Sequence, residues 1–70
     1  MNEKVANSVK DRRTRAGLTQ EDLAMAMGVS RQTIISIERG KYTPSLPLAL
    51  KLARFFKCPV NDLFTLQEGD

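Results

Sequence analysis

The sequence predicts an all-α fold of five short helices in one domain that spans residues 1–70, without a sheet. Three observations support this class. Apolar residues recur at helical spacing along most of the chain. Glycines separate the periodic stretches, and hydroxyl residues able to cap a helix precede several of them. Hydrophobic residues make up 41% of the chain and aromatic residues only 6%, as is typical of a small helical domain.

The first helix is expected over residues 3–15, with Val5, Val9 and Ala16 facing inward. Gly17 follows it and suits the position after a last helical turn, where a positive φ is common. This arrangement predicts that the N-terminal segment packs as a single amphipathic helix.

The second and third helices, expected over residues 20–27 and 31–39, begin at residues that favour helix starts. Thr19 precedes the second helix, and Asp22 lies three residues later, which makes a capping-box pair. Ser30 is a suitable N-cap for the third helix.

The fourth helix is expected to begin after Ser45, with Pro47 tolerated in its first turn. Pro59 ends this region, a fifth helix is expected over residues 60–66, and residues 67–70 are expected to fray. The apolar stripe of the fourth helix comprises Leu46, Ala49, Leu50, Ala53 and Phe56.

Residues 20–39 fit two short helices joined by a tight turn. Leu23, Ile34 and Ile37 occupy positions that pack two crossed helices together, and Gly28 lies where the turn favours a positive φ. The outer face of the second of these helices is polar. Such a helix-turn-helix places its second helix in the DNA major groove, so the pattern indicates a DNA-binding function.

Three segments in register resemble the phage-repressor-like helix-turn-helix family, the Cro/repressor or XRE type of transcriptional regulator. They are GLTQEDLA at 17–24, GVSRQTI at 28–34 and IERGKYTPSL at 37–46, and the resemblance extends over residues 5–66. It implies a five-helix lambda-repressor-like domain and a sequence-specific, double-stranded DNA-binding regulator of transcription, a dimeric protein of the repressor type that reads the major groove with its third helix.

Candidate DNA contacts follow from the third helix. Successive residues of an α-helix are rotated by about 100° about its axis. If Ile34 and Ile37 face the core, Gln32 and Ser36 therefore point away from it. Glutamine can pair with adenine and arginine with guanine, whereas an ordinary solvated polar face is the alternative. The resemblance adds a phosphate-binding role for Gln20 at the start of the second helix. The candidate set is Gln20, Arg31, Gln32, Thr33, Ile35, Ser36, Arg39, Lys41 and Thr43.

The resemblance also implies a buried ion pair between Arg13 and Glu38, with a structural role, and two-fold dimers on palindromic sites. The fifth helix and the loop before it are the dimer contact in the family. The corresponding residues are Pro59, Val60, Leu63 and Phe64, with core packing as the alternative for Phe64.

Composition limits the other functions. The net charge of +3 and the pI of about 9.4 are compatible with a polyanionic partner, and residues 1–18 hold five basic and two acidic residues. One cysteine, Cys58, and no histidine leave no intramolecular disulfide and no Cys/His zinc site, so no metal or cofactor is expected. No catalytic constellation is visible, so an enzyme is not expected.

The N-terminus is polar, and no apolar run approaches the roughly 18 residues of a membrane span, which predicts a cytoplasmic protein. The alternative function is a protein-binding module on the same scaffold, such as an antitoxin. Salt dependence separates the two functions, because binding to several phosphates weakens steeply with salt.

Overall fold

The computed structural model describes residues 3–68, in which five helices stand between two short strands that pair with each other. The helical part follows the predicted order along the chain. The elements are β1 (Glu3–Asn7), α1 (Val9–Arg15), α2 (Gln20–Met27), α3 (Arg31–Glu38), α4 (Leu46–Phe55), α5 (Val60–Leu63) and β2 (Phe64–Glu68).

The two strands correct the prediction of an all-α fold. β1 and β2 are antiparallel, with Val5 opposite Leu66 and Asn7 opposite Phe64. The paired strands β1 and β2 are called the ribbon below. Because the partners lie about 60 residues apart in sequence, local periodicity cannot reveal their pairing.

The ribbon shortens two predicted helices. The helix expected over residues 3–15 begins only at Val9, and the helix expected over residues 60–66 ends at Leu63. Ala16, expected to face inward, is exposed. The fraying expected for residues 67–70 is wrong for the first two, which lie in β2, and the last two fall outside the described residues.

The starts of α2 and α3 are as predicted. The Thr19 hydroxyl accepts a hydrogen bond from the Asp22 backbone N–H at 3.0 Å, and the Asp22 carboxylate accepts one from the Thr19 backbone N–H at 2.9 Å. The Ser30 hydroxyl caps α3 by accepting from the Thr33 N–H at 3.1 Å. These bonds satisfy backbone donors that have no partner within a helix.

The buried face of α4 differs from the predicted stripe. Leu48, Ala49, Leu52 and Ala53 are buried, whereas Leu46 is 68% exposed. Both sets have helical spacing, so periodicity alone does not determine which of them faces the core. The Ser45 cap is present, with its hydroxyl accepting from the Leu48 N–H at 3.3 Å.

Every helix contributes to one core. Burying such side chains contributes roughly 1.5–3 kcal/mol each, before entropic costs are counted. Leu63 is 1% exposed, so its assignment to a dimer surface is corrected: it fills the core beneath α5. The largest fully buried side chains are Val9, Leu23, Ile34, Ile37, Leu52 and Leu63.

Candidate nucleic-acid interface

The helix α3 has one face in the core and one face in solvent. Ile34 and Ile37 are fully buried. Arg31 and Gln32, in the first turn of the same helix, are exposed. Ser36 is half-buried beside them, and its hydroxyl accepts a long hydrogen bond of 3.4 Å from Gln32 Nε2. The outer face thus presents a guanidinium, an amide and a hydroxyl, all of which can bond to base edges or phosphates.

The angle between α2 and α3 depends on a tight turn at Gly28, whose φ is 75°. The next N–H, of Val29, donates to the Ala24 carbonyl oxygen at 3.0 Å, which closes the end of α2. Lys51 of α4 also reaches this end, where its ammonium donates to the Met27 carbonyl oxygen at 2.9 Å. A cation is favourable at a helix C-terminus, and sequence reasoning did not find this contact.

Arg13 and Glu38 fix α3 against α1. Arg13 Nε lies 2.7 Å from Glu38 Oε2 and Nη2 lies 3.2 Å from Oε1, so two parallel hydrogen bonds join the groups. The two side chains are 9% and 3% exposed. A third donor of Arg13, Nη1, bonds to the Leu18 carbonyl oxygen at 2.9 Å. The pair therefore ties α1, the α1–α2 loop and the end of α3 together.

Gln20 joins the same network. Its Nε2 donates to Glu38 Oε1 at 3.1 Å, and the residue is half-buried. One amide N–H is therefore engaged inside the protein and the other is left for an external acceptor. The contact links the first residue of α2 to the last residue of α3, so Gln20 helps to position α3 from within the protein.

A groove borders the outer face of α3. It encloses about 250 Å³ and is lined by Ser30, Gln32, Thr33, Ser36 and Tyr42; it is called the readout groove below. Tyr42, one of these lining residues, is 46% exposed. The Thr33 hydroxyl is hydrogen-bonded to that of Ser30 at 2.9 Å, which orients it within the groove.

The loop after α3 carries the remaining candidate residues. Arg39, Lys41 and Thr43 are all exposed, and the Lys41 N–H is anchored to the Ser36 carbonyl oxygen at 2.9 Å. This anchor holds the loop against the last turn of α3. Ile35 is half-buried, so only part of its side chain is available to a partner.

Two basic side chains that the sequence did not single out as contacts stand near this surface. Lys10 of α1 lines a shallow groove together with Gln20 and Arg31, at the start of α2. Lys4 lies on β1, beside the loop after α3. The sequence predicts both on the first helix, and the structure places Lys10 on α1 and Lys4 on β1.

The residues expected at a dimer contact are not equivalent. Pro59 is exposed, and Val60 and Phe64 are half-buried and pack against the core. The exposed apolar side chain nearest to them in sequence is Leu66, 70% exposed on β2. Of these apolar side chains, Leu66 of the ribbon is thus open to a partner, whereas Leu63 is buried.

Within the described part of the chain, no group of three or more metal-ligating side chains is close enough to hold an ion. Cys58 is half-buried and packs against the core. None of the helices in residues 3–68 combines the length and apolar character required to cross a bilayer.

The chain is similar to known proteins over most of its length. The profile of the helix-turn-helix family matches residues 9–63, which includes all five helices. An uncharacterised HTH-type transcriptional regulator of Methanocaldococcus jannaschii is 53% identical over 64 residues, covering 91% of this chain and 97% of the relative. The CTXphi cryptic-phage transcriptional repressor RstR of Vibrio cholerae is 32% identical, covering 90% of this chain and 57% of the relative.

A solved structure has a similar fold. The restriction-modification controller protein C.AhdI of Aeromonas hydrophila superposes with a TM-score of 0.72 at 38% sequence identity. The match covers 80% of this chain and 85% of that chain.

Proposed function

The chain belongs to the helix-turn-helix family, and on that premise we propose that it is a sequence-specific transcriptional regulator that binds double-stranded DNA. The observation that carries the proposal is that α3 has one buried face and one exposed face. Ile34 and Ile37 are fully buried, so α3 cannot rotate about its own axis. Arg31 and Gln32 remain exposed on its other side. A helix fixed in this way can present side chains to base edges in the major groove.

Sequence readout is assigned to the exposed face of α3. Gln32 and Arg31 have the hydrogen-bonding groups that recognise adenine and guanine, and the Ser36 hydroxyl supports either base. Ile35 contacts a thymine methyl, and Thr33 lines the groove beside Gln32. The hydrogen bond from Gln32 to Ser36 is long, at 3.4 Å, and gives way readily to a base.

Phosphate contacts are assigned to the flanks of α3. Arg39, Lys41 and Thr43 bind the backbone on one side, where the anchored loop holds them in place. Gln20 offers its second amide N–H to a phosphate on the other side, at the start of α2. These contacts orient α3 but carry no sequence information themselves.

We propose a homodimer as the DNA-binding form, because one α3 reads too few base pairs to stand out among competing sites. The dimer contact uses Pro59, Val60 and Phe64, extended by the exposed Leu66. In such a dimer the two α3 helices are about 34 Å apart, one turn of B-DNA.

A repressor-type activity is favoured by the similarity to a phage transcriptional repressor. The protein is proposed to act in the cytoplasm, where its DNA target lies. The proposed function involves no catalytic step. The protein-binding module on the same scaffold is not favoured, because the relatives that match over nearly the whole chain are described as transcriptional regulators.

The salt dependence of binding tests the proposal. Fluorescence anisotropy of a labelled duplex gives the association constant across a range of salt concentrations. Binding through several phosphates gives a steep negative slope of log K against log salt. Lys41→Gln should reduce that slope by about one unit on every sequence. A slope near zero for the wild-type protein would instead favour the protein-binding alternative.

A further inference from the structure

The loop after α3 and the ribbon enclose a second cleft, next to the readout groove. It has a volume of about 400 Å³ and is called the ribbon cleft below. Its ribbon side includes Lys4 and Gln67, which pair across the two strands. Its loop side includes Arg39, Gly40, Tyr42 and Thr43.

The lining of the ribbon cleft suits an anion. It includes Lys4 on one side and Arg39 on the other, and among the residues whose side chains the structure describes it includes no aspartate or glutamate. Both residues are exposed, so their charged groups can reach a partner without unfolding any element. Two cations with hydroxyl and amide groups between them form a suitable environment for the oxygens of a phosphodiester.

The position of the ribbon cleft identifies the source of that phosphodiester. Tyr42 lines both the readout groove and the ribbon cleft, so the two are neighbours on one surface. A duplex whose base edges meet Gln32 in the readout groove continues past Tyr42. The next group that it offers on that side is its own backbone.

We propose that the ribbon is a DNA-contacting element, and that Lys4 and Arg39 together bind one backbone phosphate of the duplex read by α3. The inference rests on the proposed function and adds to it a contact from outside the helix-turn-helix. It also gives the ribbon a role that an all-helical domain would lack: β1 carries Lys4 to the ribbon cleft, which shares Tyr42 with the readout groove.

The first test compares two variants that each remove one positive charge. Lys4→Gln acts in the ribbon cleft, whereas Arg54→Gln acts on the outer face of α4, away from the proposed contacts. Lys4→Gln should reduce the slope of log K against log salt by about 0.9, the value for one lost phosphate contact. Arg54→Gln should leave the slope unchanged, and Lys4→Arg should restore it.

A second test locates the phosphate. In a bound duplex, individual phosphates are replaced in turn by neutral methylphosphonates. One replacement should weaken binding of the wild-type protein but not of Lys4→Gln. Equal sensitivity of both proteins at every position, or a Lys4→Gln slope equal to that of Arg54→Gln, would overturn the inference. Either result leaves the proposed function intact, because that function is tested separately by the DNA binding of the wild-type protein and its salt dependence.

Discussion

The side-chain amide of Asn7 joins the end of β1 to the last turn of α3: its Nδ2 donates to the Ile37 carbonyl oxygen at 2.9 Å. The same side chain begins α1, because its Oδ1 accepts from the Val9 N–H at 3.1 Å. The adjacent Ser8 N–H donates to the Leu63 carbonyl oxygen at 3.0 Å. The junction between β1 and α1 is thereby fixed to both α3 and α5.

Asn7→Ala should lower the free energy of unfolding by about 1–3 kcal/mol, because it leaves the Ile37 carbonyl and the Val9 N–H without these partners. Urea denaturation measures the change. Asn61→Ala, at an exposed position on α5, is the matched control and should change stability by no more than about 0.5 kcal/mol. Equal effects of the two substitutions would show that the Asn7 bonds contribute nothing.

Arg13→Met should cost about 3–5 kcal/mol of stability, because it strands the Glu38 carboxylate, which is 3% exposed. Replacing Arg13 and Glu38 together by Met should cost less than the sum of the single changes, since no uncompensated charge remains. Denaturant unfolding of the three variants measures this coupling.

The exposed ion pair between Arg15 and Asp11, at 3.3 Å, provides the control. Because both side chains are largely solvated, Arg15→Met should cost less than about 1 kcal/mol. Strictly additive costs for Arg13 and Glu38 would contradict the structural role assigned to their pair.

Leu66→Gln should weaken the proposed dimer, because it removes the exposed apolar side chain of the ribbon. Leu46→Gln is the control, since Leu46 is 68% exposed and Leu66 70% exposed, on different elements. Sedimentation equilibrium compares the dimer dissociation constants, and circular dichroism checks the helix content. Equal dissociation constants for the two variants would remove the ribbon from the dimer contact.

Asp22→Asn should flatten the acid limb of the stability profile. The Thr19 backbone N–H, and secondarily the Thr19 hydroxyl, hold the pKa of Asp22 below its ordinary value of 3.8. Because the folded pKa is the lower one, this contribution is present above pH 3.8 and is lost as the pH falls through the folded value. Unfolding free energies measured across that range give the slope.

Glu21→Gln, which changes the charge of the same helical turn, is the control for Asp22→Asn. It should preserve most of the wild-type slope. A wild-type slope in Asp22→Asn would mean that the capping box contributes no pH dependence.

The helix-turn-helix could be predicted from local sequence, because its limits are set by residues that act locally. Thr19 and Ser30 cap the two helices, and Gly28 provides the left-handed turn between them. The inward positions of Ile34 and Ile37 follow from helical spacing once those limits are known. The predicted outward placement of Arg31 and Gln32 agrees with their exposure.

The ribbon could not be predicted in this way, because its stability depends on partners at opposite ends of the chain. Val5 and Leu66 are paired although five helices separate them in sequence. The sequence consequently predicts Lys4 on a helix and does not reveal the cleft that it lines. The hydrogen bond from Gln20 to Glu38 was missed for a similar reason, since it depends on the angle between two helices.

Selection of DNA from a random pool tests the central claim, that α3 reads sequence through Gln32. The wild-type protein should enrich a common sequence, and Gln32→Ala should lose about 1–3 kcal/mol on that sequence while binding random DNA as before. The base preference of Gln32→Ala should be relaxed only at particular base pairs of the selected sequence. A selected pool indistinguishable from the starting pool, or equal losses on selected and random DNA, would contradict the account.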